Sequence, residues 1–141
     1  MMDIQEITIG SRIEDNQQVT LERVASHLGS GSLQVYATPA MVAFVEQTCR
    51  KLVEPHLPEG MTTVGIAIAV RHIAPTPLGR KVSIQAEIVL IEKNVISFQT
   101  ELWDEMEKIG EAAHERAVIE VDRFTERVQK KSHKSTTVNA G

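Results

Sequence analysis

The chain has 141 residues, a formal net charge of −4, 42% hydrophobic residues and 24% charged residues. That length supports one domain around one core without disulfides or metal, with the composition of a soluble globular protein. The mild acidity excludes the global basic field of a nucleic-acid binder, no apolar run reaches membrane-spanning length, and a single cysteine, Cys49, excludes an internal disulfide.

The opening MMDIQEITIG lacks the basic-then-apolar order of a signal peptide, so a cytoplasmic location is expected. Ile4, Ile7 and Ile9 predict a short strand there. VTLERVASHLG, Val19 to Gly29, predicts a strand end and then a short helix capped by Thr20. GSGS, Gly29 to Ser32, reads as a flexible loop. A long helix follows. In ATPAMVAFVEQTC, Ala37 to Cys49, Thr38 has the chemistry of an N-cap, and Pro39 suits the first helical position, where its missing N–H is harmless. Apolar residues fill nearly every position from Ala40 to Val45, so this half of the helix is expected to be enclosed. Cys49, Leu52 and Val53 continue the stripe, which should stop near Glu54 because Pro55 disfavours helical geometry before it.

The remainder alternates as strands do. Val64, Ile66, Ile68, Val70 and His72 interleave with Thr63, Gly65, Ala67, Ala69 and Arg71, which predicts one large face and one small face. A proline-punctuated loop, Ile73 to Arg80, leads into a strand over Lys81 to Glu92. Lys93-Asn94 then turns tightly into Val95 to Trp103, and DEMEK turns into a last strand over Ile109 to Val121. Such an order predicts one α+β domain over residues 1–123, an antiparallel sheet of about five strands wrapped around one long central helix. Aromatic residues make up 4%, which leaves the core to Val, Ile, Leu, Ala and Met. Residues 124–141 have no evident apolar face and are expected to form an exposed, disordered tail.

Glu46 is the least comfortable residue in the long helix. On a solvated stripe it would pair with Arg50 one turn on, for a few tenths of a kcal/mol. Its neighbours Val42, Ala43, Phe44 and Val45 argue instead for enclosure, where a carboxylate is costly unless partnered or used and, being poorly solvated, is reactive. Thr38 by itself reads as a cap. His72, where strand meets loop, reads equally as a solvent-facing residue and as an acid or base suited to neutral pH. On an ideal helix Thr38 and Glu46 lie about 12 Å apart axially and about 80° apart in direction, so they do not touch as members of a triad would. Cys49 reads as a small core residue. The histidines show no spacing that would hold a metal.

Taken together, ATPAMVAFVE, the glycine-to-histidine run GIAIAVRH, and HERAV resemble the fluoroacetyl-CoA thioesterase-like family of hot-dog enzymes, over roughly Val19 to Phe124. That family places a threonine at the helix start, a glutamate eight residues on, a strand glycine beside the substrate and a histidine at the end of the same strand. Thr38, Glu46, Gly65 and His72 match that order. The chain departs from the family before the helix, where GSGSLQ stands in place of aromatic lid residues, so discrimination for fluoroacetate is not implied.

The resemblance implies a hot-dog acyl-CoA thioesterase acting on a small or medium acyl thioester, with Thr38, Glu46 and His72 catalytic. Thr38 and the helix N-terminus would receive the carbonyl oxygen, Glu46 would act as nucleophile or as base toward water, and His72 would move protons. Gly65 would let the thioester approach the strand. Arg71, Arg80 and Lys81, beside the loop, are candidates for the phosphates of coenzyme A, or are ordinary strand-edge charges. His114 is expected to be structural or a partner to the catalytic groups. The resemblance also implies a homodimer with its sites at the subunit interface, and coenzyme A entering only as part of the substrate, with no metal or other cofactor. Two other readings stay open: a hydratase or dehydratase on the same fold, and a non-catalytic acyl-CoA binding module.

Overall fold

Alternation along the chain becomes a five-stranded antiparallel sheet in space. In the computed structural model, which describes residues 7–139 and the side chains of residues 7–133, the strands are β1 (Arg12–Gln18), β2 (Met61–His72), β3 (Lys81–Glu92), β4 (Val95–Trp103) and β5 (Lys108–Glu120). They are ordered β1-β3-β4-β5-β2, which leaves β1 and β2 as edges. Consecutive hairpins join β3 to β4 and β4 to β5. The first closes at Lys93-Asn94, where Lys93 takes a left-handed φ of 58°. The second is held by Asp104, whose carboxylate accepts from the backbone N–H groups of Met106 and Glu107.

The inner face of the sheet cradles one helix, α2 (Thr38–Val53). Its apolar stripe of Met41, Phe44, Val45, Cys49 and Val53 is buried against Ile84, Ile88, Ile96, Phe98 and Leu102 from the central strands. Each fully buried large aliphatic side chain contributes about 1.5–3 kcal/mol, and this seam is the domain's only extended apolar core among the described residues. Enclosure is one-sided, contrary to expectation: Ala43 is exposed and Val42 half-buried, because the sheet curls round one flank of α2 and nothing among the described residues covers the other. A short helix, α1 (Ala25–Leu28), precedes it and ends on Gly29 in the left-handed conformation.

Several expectations need correction. The N-terminal strand is β1, not the isoleucines before it. Ile4 lies outside the described residues, Ile7 is buried ahead of the strand, and Ile9 sits exposed in a turn. Polar side chains on the inward positions of β1 hid it. Asp15 accepts from Lys51 of α2 at 2.8 Å, and Gln17 donates to the Tyr36 hydroxyl. Thr20 makes no side-chain capping bond at the single 3-10 turn over Leu21–Arg23. The expected disordered tail is instead α3 (Val121–Asn139), whose described side chains are all exposed. Val121, Phe124 and Val128, spaced at three and four residues, give it an apolar stripe that its charge-rich composition obscured. No helix among the described residues is long and apolar enough to cross a membrane.

The strand β2 is also less regular than its alternation. Its pairing with β5 runs Thr63↔Val118, Gly65↔Arg116, then Ala67↔Glu115 and Ile68↔His114, skipping Ile66. This bulge switches which residues face the helix.

Gly110 on β5 marks a tight contact beneath α2. A Cβ there would stand 2.7 Å from Met41 Sδ and 3.0 Å from the Arg71 carbonyl oxygen, which is backbone and cannot swing aside. Gly110→Ala is therefore expected to destabilise the domain by about 1–3 kcal/mol, read as a lower urea midpoint at unchanged slope.

Candidate active site

Helix α2 begins one residue earlier than a Thr38 cap would place it. Ala37 occupies the cap position, Thr38 and Pro39 are the first helical residues, and no side chain caps the turn. The Thr38 hydroxyl is thus free to turn across to the sheet, where its Oγ1 lies 2.8 Å from Nδ1 of His72 at the end of β2. His72 packs edge-on to the Tyr36 ring, with centroids 6.3 Å apart. Burial pulls its pKa below the ordinary 6.5, opposed by a backbone bond involving Ala74, so the imidazole is neutral at neutral pH. Its buried Nε2 has no hydrogen-bond partner among the described residues. A groove of about 270 Å³ lies over the pair, lined by Tyr36, Thr38, His72, Ile73 and Pro75 among others.

Two turns along α2, Glu46 faces the opposite end of β2. Its side chain is 43% exposed, so the carboxylate does not lie in an apolar cradle as expected. It also does not pair with Arg50, which goes to Glu54 at 3.4 Å. Instead Glu46 Oε2 sits 3.7 Å from Arg116 Nη1 and directly over Gly65, where a Cβ would come within 2.5 Å of it. Only glycine leaves room for that carboxylate at this position.

Arg116 is a buried cation held on every side. Its Nε donates to Thr63 Oγ1 at 2.8 Å, its Nη2 to the Thr63 carbonyl at 3.1 Å, and its Nη1 lies 3.1 Å from Nε2 of His114. The other nitrogen of that ring, Nδ1, lies 2.8 Å from the Ala67 carbonyl, which can only accept. His114 therefore carries its proton on Nδ1 and offers a lone pair to Arg116. Burial first, and then the guanidinium, lower its pKa and keep it neutral. The ring also stacks on Phe98 at 6.1 Å.

Gly65 and His72 are seven residues apart, and on an unbroken strand they would face opposite sides. The skipped Ile66 reverses the alternation between them, so Gly65 meets Glu46 while Ile68, Val70 and His72 pair with the inward positions His114, Ala112 and Gly110. The expected split into a large and a small face is corrected accordingly. Thr38 and His72 thus form one group and Glu46, Gly65 and Arg116 another, and no hydrogen bond or ion pair among the described residues joins Glu46 to His72 within the chain.

Of the candidates for phosphate contact, Arg71 pairs in register with Glu111 and points away from His72's face. Arg80 lies close enough to Asp104 to help lower its pKa, and the Lys81 backbone N–H donates to Glu105. None of the three is gathered into either group. The groups also contain a residue not singled out from the sequence, Arg116. Its signal was present in HERAV, where His114 and Arg116 share parity with the inward Ala112 and Val118. Cys49 is sealed in the core, its thiol pushed up to about 12 by burial, and is inert as a nucleophile. No group of three or more His, Cys, Asp or Glu side chains among the described residues is placed to hold a metal.

Residues 19–122 match the family model of the fluoroacetyl-CoA-specific thioesterases. The chain belongs to that family. A curated relative, the fluoroacetyl-CoA thioesterase of Streptantibioticus cattleyicolor, is 36% identical over 99 residues, covering 70% of this chain and 71% of its own. The solved structure of a fluoroacetyl-CoA thioesterase superposes with a TM-score of 0.83 at 31% identity, over 89% of this chain and 97% of that one. A thioesterase superfamily member from Thermus thermophilus superposes at 0.87 with 25% identity, over 93% and 97%. A hot-dog-like protein from Thermanaerovibrio acidaminovorans, 22% identical, shares the fold at 0.85 over 92% and 97%. The hot-dog architecture and the fluoroacetyl-CoA thioesterase-like membership expected from the residues are both borne out, and the family's matched segment ends at the start of α3.

The lowered pKa of His114 makes stability pH-dependent in a definite direction. Between its folded value and the ordinary 6.5 the unfolded chain binds the extra proton, so stability is lost as pH falls through that window and levels off below the folded value. Urea midpoints are expected to drop on acidification through this range, and His114→Gln to flatten the part of the slope that His114 supplies.

Proposed function

We propose that this chain hydrolyses a small or medium acyl thioester of coenzyme A by using Glu46, His72 and Thr38 together in a homodimer. The observation that carries the reading is Glu46's carboxylate, seated in the space left by Gly65 and steered by Arg116, on the same face of β2 as the Thr38–His72 pair. Family membership supplies the reaction, since the fluoroacetyl-CoA thioesterase relatives cleave a coenzyme A thioester by name, and a variant of one has been solved with fluoroacetate and CoA.

In this scheme the carbonyl oxygen of the thioester docks at the start of α2, where the Thr38 hydroxyl and the free N–H end of the helix stabilise developing negative charge. A Glu46 oxygen attacks the carbonyl carbon, the C–S bond breaks, coenzyme A leaves as its thiolate, and an acyl-glutamate anhydride remains. Neutral His72 then takes a proton from water through its unpartnered Nε2. The resulting hydroxide attacks the anhydride and releases the carboxylic acid and free Glu46, and the proton held by His72 passes to the coenzyme A thiolate, which restores the neutral imidazole. Acting directly on water, Glu46 would serve as base by the same geometry. No metal or bound organic cofactor enters either route.

The two groups are reconciled by a second subunit. The outer edge of β2 pairs with no strand among the described residues and carries exposed Ile66 and Ile68 between the small residues Gly65, Ala67 and Ala69. An antiparallel two-fold midway between Ile68 and Ala69 sets Gly65, and Glu46 above it, across from His72 of the partner subunit. Each site then draws its carboxylate from one chain and its imidazole from the other. The buried, unpaired Cys49 fits the cytoplasmic location that this reading assigns.

Glu46→Gln and His72→Ala are each expected to lower kcat by at least about a hundredfold in a thiol-release assay over a panel of acyl-CoAs. Co-refolded mixtures of the two inactive variants are expected to regain activity, because the mixed dimer holds one site with both groups intact; no recovery would place each site within one chain. A parent that converts enoyl-CoA without releasing thiol would instead be a hydratase. Gly65→Ala chiefly pushes aside the far end of Glu46, with His114 Cε1 next at 3.3 Å, so kcat is expected to fall roughly a hundredfold while the urea midpoint falls far less than for Gly110→Ala. Rate is expected to hold as pH falls to 6.5 and to drop only below it, because His72 protonates at lower pH than an ordinary imidazole.

A further inference from the structure

Helix α3 carries the chain past the end of the family's matched segment, and its root forms one side of a groove. The groove encloses about 320 Å³ between the ends of β2 and β5 and the first two turns of α3. Met61, Val118, Ile119 and Phe124 give it an apolar floor and wall, and the guanidinium groups of Arg123 and Arg127 stand at its rim. Phe124, 39% exposed, offers an aromatic edge or face to whatever enters.

We infer that this groove takes the nucleotide end of the coenzyme A substrate, the adenine against Phe124 and Met61 and the phosphates on Arg123 and Arg127. The inference rests on the acyl-CoA reading above and adds to it a docking site for the carrier.

Three observations converge on it. Arg123 and Arg127 are one turn apart on the same face of the helix, a like-charge pair whose repulsion a bound anion would relieve. Arg123 is only loosely neutralised, by exposed Glu120 at 3.6 Å, and Arg127 makes no ion pair among the described residues. From Val121 to His133, α3 carries Arg123, Arg127, Lys130 and Lys131 against Asp122 and Glu126, on a chain whose net charge is −4, so cationic charge is gathered here. The position also fits the carrier. Met61 lies four residues along β2 from Gly65, and Ile119 and Glu120 lie three and four residues along β5 from Arg116, a separation of about 13 Å along extended strands. An extended pantetheine arm bridges that span, which leaves the thioester at Glu46 and the bisphosphate at α3. Planar guanidinium forks suit phosphate, and flat aromatic and thioether surfaces suit a purine.

The test compares the full-length parent with an Arg123→Ala/Arg127→Ala variant. Free coenzyme A, followed by titration calorimetry, is expected to bind the variant about tenfold or more weakly, and an Arg123→Lys/Arg127→Lys variant to keep part of the affinity. Dephospho-coenzyme A, lacking the ribose phosphate, is expected to bind the parent more weakly than coenzyme A, and that gap to shrink in the alanine variant. In turnover, KM for acyl-CoA is expected to rise about tenfold at unchanged kcat, while the same acyl group on pantetheine, which has no nucleotide, is hydrolysed equally by both proteins. Unchanged coenzyme A affinity would overturn the inference, as would equal losses on acyl-CoA and acyl-pantetheine or a change of oligomeric state. If the parent bound coenzyme A through these arginines but hydrolysed no acyl-CoA, the thioesterase reading would fall and the groove assignment would stand.

Discussion

The geometry of the site depends on one extra residue. By skipping Ile66 in its pairing with β5, β2 changes parity between Gly65 and His72 and turns both toward α2. Without the bulge, either the glycine would face away from Glu46 or the histidine would face away from Thr38. A bulge also strengthens local twist, and here it lies in an edge strand beneath the helix. The parity switch that assembles the polar groups is the consequence of this one local irregularity.

Around that irregularity the polar groups hold one another. A guanidinium as deeply placed as that of Arg116 is unfavourable unless its N–H groups are satisfied, and Thr63, His114 and Glu46 divide them. His114 can accept from Arg116 only while it is neutral and protonated on Nδ1, and the Ala67 carbonyl fixes that tautomer. Ala67 is the first residue after the bulge, so the backbone irregularity and the tautomer are mechanically linked. The result is a carboxylate half open to solvent yet steered from below by a fixed positive charge, a better arrangement for a reacting group than full burial, because substrate can reach it.

The exposed parts of the molecule follow a different logic. The free edge of β2, with isoleucines bare to water, and the long α3, with no buried side chain among those described, contribute little to the stability of a single chain. An isolated helix of this length is marginal in water, and an apolar sheet edge is a liability. Features that the core does not require are the places where a partner or a ligand supplies the missing contacts. In the proposed arrangement β2 meets a second subunit, and α3 meets the carrier portion of the substrate.

Much of this was legible in the sequence. Hydrophobic periodicity determined the strands β2 to β5 and the helix ended by Pro55, because period and proline act locally. The order of threonine, glutamate, glycine and histidine pointed to the family. Tertiary structure decided what depends on partners distant in the chain. It placed β1, whose inward Asp15 and Gln17 look like surface residues until Lys51 and Tyr36 satisfy them. It redirected Thr38 from capping its own helix to His72, and Glu46 from Arg50 to Arg116, since a polar side chain takes whichever partner the fold presents. It also inserted the bulge at Ile66, which no alternation reveals, because a bulge is a property of the pairing between two strands and not of either strand alone.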